Sequence, residues 1–422
     1  IGPMRELKKG VEAYWKSDRS IEERRKLMDI GKELRAANWK RQKNAGLSHI
    51  PSNDFSFYDQ ILDLTTLLGM VPSRYDWDGG EVGVDLSFAM ARGAQRDGID
   101  VTAMEMTKWF DTNYHYIVPE FEKDMTPKLS HTKIFQEYEE AKALGIETRP
   151  VIVGPATYTF LGKPQYDGFD HVAFVQKLIP VYNEILAGLA QRGAKWVQID
   201  DPVFSLDLCK IGQGFIKAAY DQLQKPEGLS VLVATYFESL KDNAELAFSL
   251  PVDAIHIDLC RGSGRANTTA NDANRDVEQA LSLIGGNKIL SLGVVDGRNI
   301  WKNNIGQSLG YIEKAVAKLG SDRVFVAPSC SLLHTPVDLK SEDTLDAELK
   351  GWMAYATQKL DELAVIAKGA NEGRENIAAA LTASNAAQES RKNSPRIHNK
   401  AVEDRVSHIS EDMKARKSPF AV

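Results

Sequence analysis

The feature that most constrains this chain is a serial alternation. Eight short apolar runs rich in Val, Ile and Leu occur at 47–53, 101–110, 150–158, 196–203, 230–237, 254–259, 288–295 and 323–329. Longer stretches with helical spacing separate them, among them 172–192, 243–249, 270–284 and 305–319. Runs such as Val231-Leu232-Val233-Ala234 and Ile289-Leu290-Ser291-Leu292-Gly293-Val294-Val295 are almost continuously apolar. That is the pattern of parallel strands covered on both faces, where neither face meets water and alternation is lost. Eight βα units in series predict α/β architecture, a single (β/α)8 TIM-type barrel with additional N- and C-terminal helices. A doubly wound sheet would want a Gly-rich phosphate turn after its first strand. The first run ends instead in Ile50-Pro51-Ser52-Asn53-Asp54, without G-x-G-x-x-G spacing.

Segments flank the barrel, which is expected over 46–368. Residues 1–45 read as an N-terminal helical segment: Met4, Leu7, Val11, Tyr14 and Trp15 fall on one stripe, and Pro3 suits a first helical position. A further helix is expected over 340–368, ending at Lys368-Gly369. Residues 369–422 are rich in Ala, Asn, Ser and charge, and read as a linker and a basic helix around 401–417, stopped by Ser418-Pro419-Phe420. A chain that opens on Ile1 and closes on such a helix has the look of part of a longer protein.

Composition narrows the function classes. The 422 residues are 43% hydrophobic and 26% charged, which excludes disordered, collagenous and membrane-spanning chains. Net charge is −6, but residues 1–50 hold 13 Lys and Arg against 7 Asp and Glu, and residues 390–422 hold 8 against 4. An acidic body with basic ends argues against nucleic acid, which favours a broad basic face. It permits a small anionic ligand near an end. Cys209, Cys260 and Cys330 are far apart and odd in number, so no disulfide framework or paired metal knuckle is legible. A reducing, cytoplasmic setting follows, with no signal peptide and no apolar stretch near the roughly 20 residues that span a bilayer.

Chemistry in such barrels gathers at the C-terminal ends of the strands. Those ends hold Asn53 and Asp54, Lys108 with Asn113 and His115, Thr157, Asp200 and Asp201, Tyr236 and Glu238, Asp258, Asp296 with Arg298 and Asn299, and 329–334. Asp200 and Asp201 are adjacent, and neighbouring strand residues point to opposite faces, so one of them at most faces the rim centre. Cys330 and His334 are four apart, half of what a zinc site needs, and fit a buried thiol and a satisfied imidazole better than two ligands. At the N-terminus Arg5, Lys8 and Lys9 crowd the end of a helix whose dipole already favours anions. Free backbone N–H groups, a guanidinium and an ammonium together could hold a carboxylate or phosphate. An exposed helix with Glu6 and Glu12 offsetting the charge is the other reading.

The segments Arg5-Glu6-Leu7-Lys8-Lys9, Ile50-Pro51-Ser52-Asn53-Asp54-Phe55 and Trp196-Val197-Gln198-Ile199-Asp200 resemble cobalamin-independent methionine synthase in its N-terminal half. Glu105-Met106-Thr107-Lys108-Trp109-Phe110-Asp111-Thr112-Asn113-Tyr114-His115-Tyr116 is the most specific match; Ser329-Cys330-Ser331-Leu332-Leu333-His334 and Ser418-Pro419-Phe420 also fit. The resemblance extends over essentially the whole chain, with a fungal character. It implies two face-to-face barrels made by duplication, and a methyl transfer from 5-methyltetrahydropteroyltriglutamate to homocysteine. It implies folate-polyglutamate binding by Arg5, Glu6, Leu7, Lys8 and Lys108, with no catalytic residue and no metal in this chain. Zinc, the homocysteine contacts and the proton donor are implied for a C-terminal catalytic barrel whose motifs do not occur here. The family usually shows Asp-Glu-Pro where this chain has Asp200-Asp201-Pro202, and a few family residues before Ile1 have no counterpart. Two other classes stay open: a free-standing barrel enzyme acting on an anionic small molecule, and a non-catalytic scaffold domain.

Overall fold

The computed structural model describes residues 2–96, 99–208, 210–260 and 270–415. Cys209, Ser418-Pro419-Phe420 and the end of the expected basic helix lie outside them. Its centre is a parallel sheet of seven strands in sequence order: β1 (Ile50–Ser52), β2 (Thr148–Val153), β3 (Trp196–Asp200), β4 (Ser230–Ala234), β5 (Ala254–Asp258), β6 (Ile289–Val295) and β7 (Val324–Pro328). Each pairs in parallel with the next, as with Val233 opposite Ile255 and Leu292 opposite Val326. All five residues of β5 are buried, as a strand covered on both faces requires.

The sheet curls on itself. His49, Trp196 and Phe325, at the N-terminal ends of β1, β3 and β7, meet in the interior, with ring centroids 4.5 to 5.8 Å apart. Among the described residues these rings, rather than a backbone ladder, bring β7 against β1. The fold is the barrel type expected, with one correction. Residues 101–110 contribute no strand to the main sheet. They are shared between two antiparallel hairpins, Ala94–Arg96 with Ile99–Val101 and Met106–Lys108 with His115–Ile117. Their sequence, Val-Thr-Ala-Met-Glu-Met-Thr-Lys, mixes polar residues among the apolar ones, and Met106 is 56% exposed. A strand with one wet face belongs in a surface hairpin.

Helices cover the outside. The helix expected over 172–192 spans His171–Gln191; against the expectation of no such stretch, its 21 residues are by length and composition alone apolar enough to cross a membrane. Here it packs Val175, Leu178, Ile185 and Leu189 into the core.

The N-terminal segment forms α1 (Glu6–Lys16) and α2 (Ile21–Asn44). Val11 and Tyr14 are buried as their spacing predicts, but α1 starts at Glu6, leaving Pro3 in a preceding turn and Met4 exposed. The Trp39 indole N–H donates to the Pro51 carbonyl at 2.9 Å and so ties α2 to β1. At the other end the helix expected to stop at Lys368-Gly369 runs over Ala356–Glu372, and Ala378–Asn393 follows where a linker was expected. The Ser384 hydroxyl donates to the Asn303 carbonyl and accepts from the Ile305 amide, which docks this helix on the barrel. The basic stretch forms two short helices, Lys400–Ser407 and Glu411–Lys414, rather than one.

Candidate functional site

A cavity of about 1210 Å³ opens at the C-terminal ends of the strands and reaches into the barrel interior. Its walls come from four places. The strands supply Asn53, Asp54, Val153, Asp200, Ala234, His256 and Ser291. The hairpin supplies Trp109, Tyr114 and His115, and the segment after β7 supplies 330–338. The N-terminal helices complete the wall with Arg5, Leu7, Lys8 and Trp15 from the first and Arg35 and Trp39 from the second.

The mouth is held in shape by side chains from distant segments. The Tyr114 hydroxyl donates to the Leu333 carbonyl at 2.9 Å. Arg298 donates to the Asp111 carboxylate at 2.6 Å while its guanidinium lies over the Phe237 ring. Asn53, Phe110 and Phe237 all have positive φ, at 60°, 48° and 85°. For bulky residues this backbone is strained, and such strain concentrates at sites where surrounding contacts over-determine the chain.

Charge is arranged unevenly along the wall. Lys133, a residue the sequence analysis does not single out, is half-buried between Asp63 at 3.2 Å and Glu137 at 3.3 Å, and donates to Asn53 Oδ1 at 2.9 Å. Asp54 is open to the cavity, where desolvation by the surrounding protein, then the neighbouring Glu137, pushes its carboxyl up to about 7. Burial likewise raises Asp200 to about 6, against the favourable hydrogen bonds from Gln198 Nε2 at 2.7 Å and the Tyr236 hydroxyl at 2.9 Å.

Of the adjacent acids only Asp200 lines the cavity. Asp201 turns into the protein, accepting from the Thr157 amide at 2.7 Å and the Tyr220 hydroxyl at 2.6 Å. It abuts Gly154 so closely that a Cβ there would lie 2.1 Å from its carboxyl carbon. The shortened second acid is thus a brace between the chain after β2 and the helix Lys210–Asp221.

The residues implicated in folate binding divide. Arg5, Leu7 and Lys8 lie on the cavity wall. Arg5 is the residue before α1, with φ 62°, and no side chain caps the first-turn amides of the helix. Glu6 turns back to accept from the Met4 amide at 3.0 Å and is not on the wall. Lys108 is exposed on the outer hairpin, paired in register with His115, which does line the cavity.

The residues present do not fit a zinc ion. No group of three or more His, Cys, Asp and Glu among the described residues is placed to hold a metal. Cys330 is buried, and burial drives its thiol well above the usual range. His334 stacks edge-on to Tyr114 and Phe237, and burial lowers it to about 4.

Comparison with known proteins bears on this geometry. The family described as "Cobalamin-independent synthase, N-terminal domain" matches residues 1–320. The 5-methyltetrahydropteroyltriglutamate–homocysteine methyltransferase of Nitrobacter winogradskyi is 46% identical over 439 residues, across 100% of this chain and 55% of that protein. The protein of the same name from Saccharomyces cerevisiae is 47% identical over 430 residues, across 100% of this chain and 54% of its own length. The chain therefore spans about half the length of these relatives. Among solved structures, the B12-independent methionine synthase from Shewanella sp. W3-18-1 in complex with selenomethionine superposes with a TM-score of 0.55 at 12% identity. That match covers 84% of this chain and 91% of the other, a likeness of fold.

Proposed function

This chain belongs to the cobalamin-independent methionine synthase family through its N-terminal domain, and we propose that it is the folate-positioning half of such an enzyme. In this reading the whole protein moves the N5-methyl group of 5-methyltetrahydropteroyltriglutamate to homocysteine, giving methionine in the cytoplasm. Residues 1–45 supply the entrance helices, 46–368 the barrel, and 369–422 the segment leading to a second, catalytic barrel. That second barrel is the partner of this one and holds the zinc that keeps the homocysteine sulfur nucleophilic near neutral pH. This chain by itself transfers no methyl group.

The observation that carries the reading is the placement of Arg5 and Lys8 on the wall of the barrel cavity, at the start of a helix with uncapped first-turn amides. A γ-linked glutamate tail is a string of carboxylates. A guanidinium, an ammonium and a helix N-terminus complement it in charge and in hydrogen-bond donors. Lys108 supplies a further ammonium on the outer hairpin, where a long tail leaving the cavity would pass. The contribution to catalysis is positional, holding methyl donor and acceptor in line.

The test is calorimetric binding of methyltetrahydrofolate as the monoglutamate and the triglutamate. The triglutamate should bind more tightly, its advantage falling as salt rises. Arg5→Ala and Lys108→Ala should shrink that advantage while leaving monoglutamate binding unchanged. Equal binding of both folates would refute the site.

A further inference from the structure

A second polar feature lies deeper in the same cavity and is not used by the folate reading. Arg149 is the second residue of β2 and the one charged side chain in that strand, Thr-Arg-Pro-Val-Ile-Val. The pleat places Arg149, Val151 and Val153 on one face, and register sets Val151 opposite Gln198 and Val153 opposite Asp200. All five line the barrel cavity. The guanidinium is therefore inside the barrel, at the level of the His49, Trp196 and Phe325 rings.

Among the described residues its guanidinium goes largely unpaired. Arg149 Nε is buried and has no hydrogen-bond partner among the described residues, and no described carboxylate forms an ion pair with the guanidinium. The acid whose charge reaches it, Asp200, already spends its two oxygens on Gln198 and Tyr236. His256 offers no negative charge either. Its Nε2 faces the Ser329 carbonyl at 3.1 Å and so must donate, which leaves Nδ1 to accept from the Ser291 hydroxyl at 3.0 Å. Burial lowers Arg149 only to about 10, so it stays charged at neutral pH. Proteins rarely bury a charge without pairing it, because the desolvation is not otherwise offset.

We propose that Arg149 anchors an oxyanion site inside the barrel, which takes the carboxylate or phosphate group of a small molecule on the free edge of its guanidinium. The planar fork suits either group, through two parallel N–H···O bonds. The cavity, which His49 also lines, gives access from the strand ends. Nothing in this assignment depends on folate binding at Arg5 and Lys8.

The test uses the 422-residue chain in a zwitterionic buffer, titrated with sodium acetate or sodium phosphate against sodium chloride at matched ionic strength. Thermal unfolding and calorimetry are the readouts. The expected result is a saturable rise in Tm beyond that of chloride, with one site per chain for which acetate and phosphate compete. The stronger of the two identifies the group the site takes. Arg149→Lys should keep the response but weaken the affinity about tenfold, as expected for losing one charge-assisted hydrogen bond. Arg149→Met should abolish it. If Arg149→Met does not fold, the Arg149→Lys shift and the competition in the unaltered chain decide the matter. A Tm response no larger than that of chloride, or one unchanged in Arg149→Lys, would overturn the assignment.

Discussion

The Tyr220 hydroxyl donates a 2.6 Å hydrogen bond to Asp201 Oδ2, and this contact helps decide which of two adjacent carboxylates is available to a ligand. With Asp201 held by Tyr220 on one oxygen and by the Thr157 amide on the other, Asp200 alone meets the cavity. The brace has consequences for stability that can be measured apart from any activity.

Tyr220→Phe should destabilise the chain by about 1–3 kcal/mol, because it leaves a buried carboxylate oxygen without its donor. Gly154→Ala should also be destabilising, by about 1–3 kcal/mol, since the new methyl would overlap the Asp201 carboxyl. Urea unfolding midpoints check both. An unchanged midpoint in either variant would show that Asp201 is not a brace.

The pH dependence follows from two groups of opposite sign. Burial raises the Asp201 carboxyl to about 6 from its ordinary 3.8, so the folded chain holds that proton more tightly than the unfolded one. Its contribution to stability is greatest below about pH 4 and falls as pH rises to about 6, by at most about 3 kcal/mol. Asp201→Asn has no such titration, so the margin of the unaltered chain over this variant should shrink across that window. Burial lowers His256 to about 4 from 6.5, so the folded chain resists protonating it. Stability from His256 should be present above about pH 6.5 and lost as pH falls towards 4. The margin over His256→Gln should therefore grow with rising pH where the margin over Asp201→Asn shrinks. Unfolding curves at pH 4.5, 5.5 and 7 test the two signs.

At the entrance, Lys8→Ala should weaken triglutamate binding by up to about fivefold at low ionic strength, the scale of an exposed ion pair. The loss should vanish in high salt. Lys8 already sits 3.7 Å from Glu12, so Glu12→Gln should tighten triglutamate binding by releasing the ammonium. Titrations at two salt concentrations separate this from a general loss of fold. Tighter binding in Lys8→Ala would count against the entrance.

Dialysed against zinc and then washed, the chain should retain no stoichiometric metal, and assays with homocysteine and methyltetrahydropteroyltriglutamate should yield no methionine above background. Three or four converging ligands are needed for zinc, and Cys330 with His334 supplies at most two. One zinc per chain, lost in Cys330→Ser, would show that the cysteine is a ligand after all.

Much of this protein is legible in its residues. The near-continuous apolar runs specify parallel strands because burial on both faces leaves no reason for polar alternation, and seven of the eight runs hold strands of the main sheet. The same rule, applied to Val-Thr-Ala-Met-Glu-Met-Thr-Lys, would have placed residues 101–110 in a surface hairpin. The family, too, is written in local motifs such as 105–116. Strand parity foretold that Asp200 and Asp201 would part company, but the pattern could not say which would turn inward. That was decided by Thr157 and Tyr220, contributed by other elements.

What only the tertiary structure decided is which charges meet. Arg149 reads along the chain as one basic residue before a proline, and Lys133 as the first residue of an ordinary surface helix. Curling the sheet puts Arg149 in the barrel cavity with its Nε unpartnered among the described residues, while packing against β1 sets Lys133 between Asp63 and Glu137. Arg5 and Lys8 reach the cavity because their helix folds over the barrel mouth, whereas Lys108, carried by an outer hairpin, stays off the wall. Periodicity along a chain reports which side of an element is dry. The partner a charge finds depends on which distant segment packs there, and residues 84 positions apart, such as Asn53 and Glu137, are neighbours only after the helix Lys133–Ala143 has packed against β1.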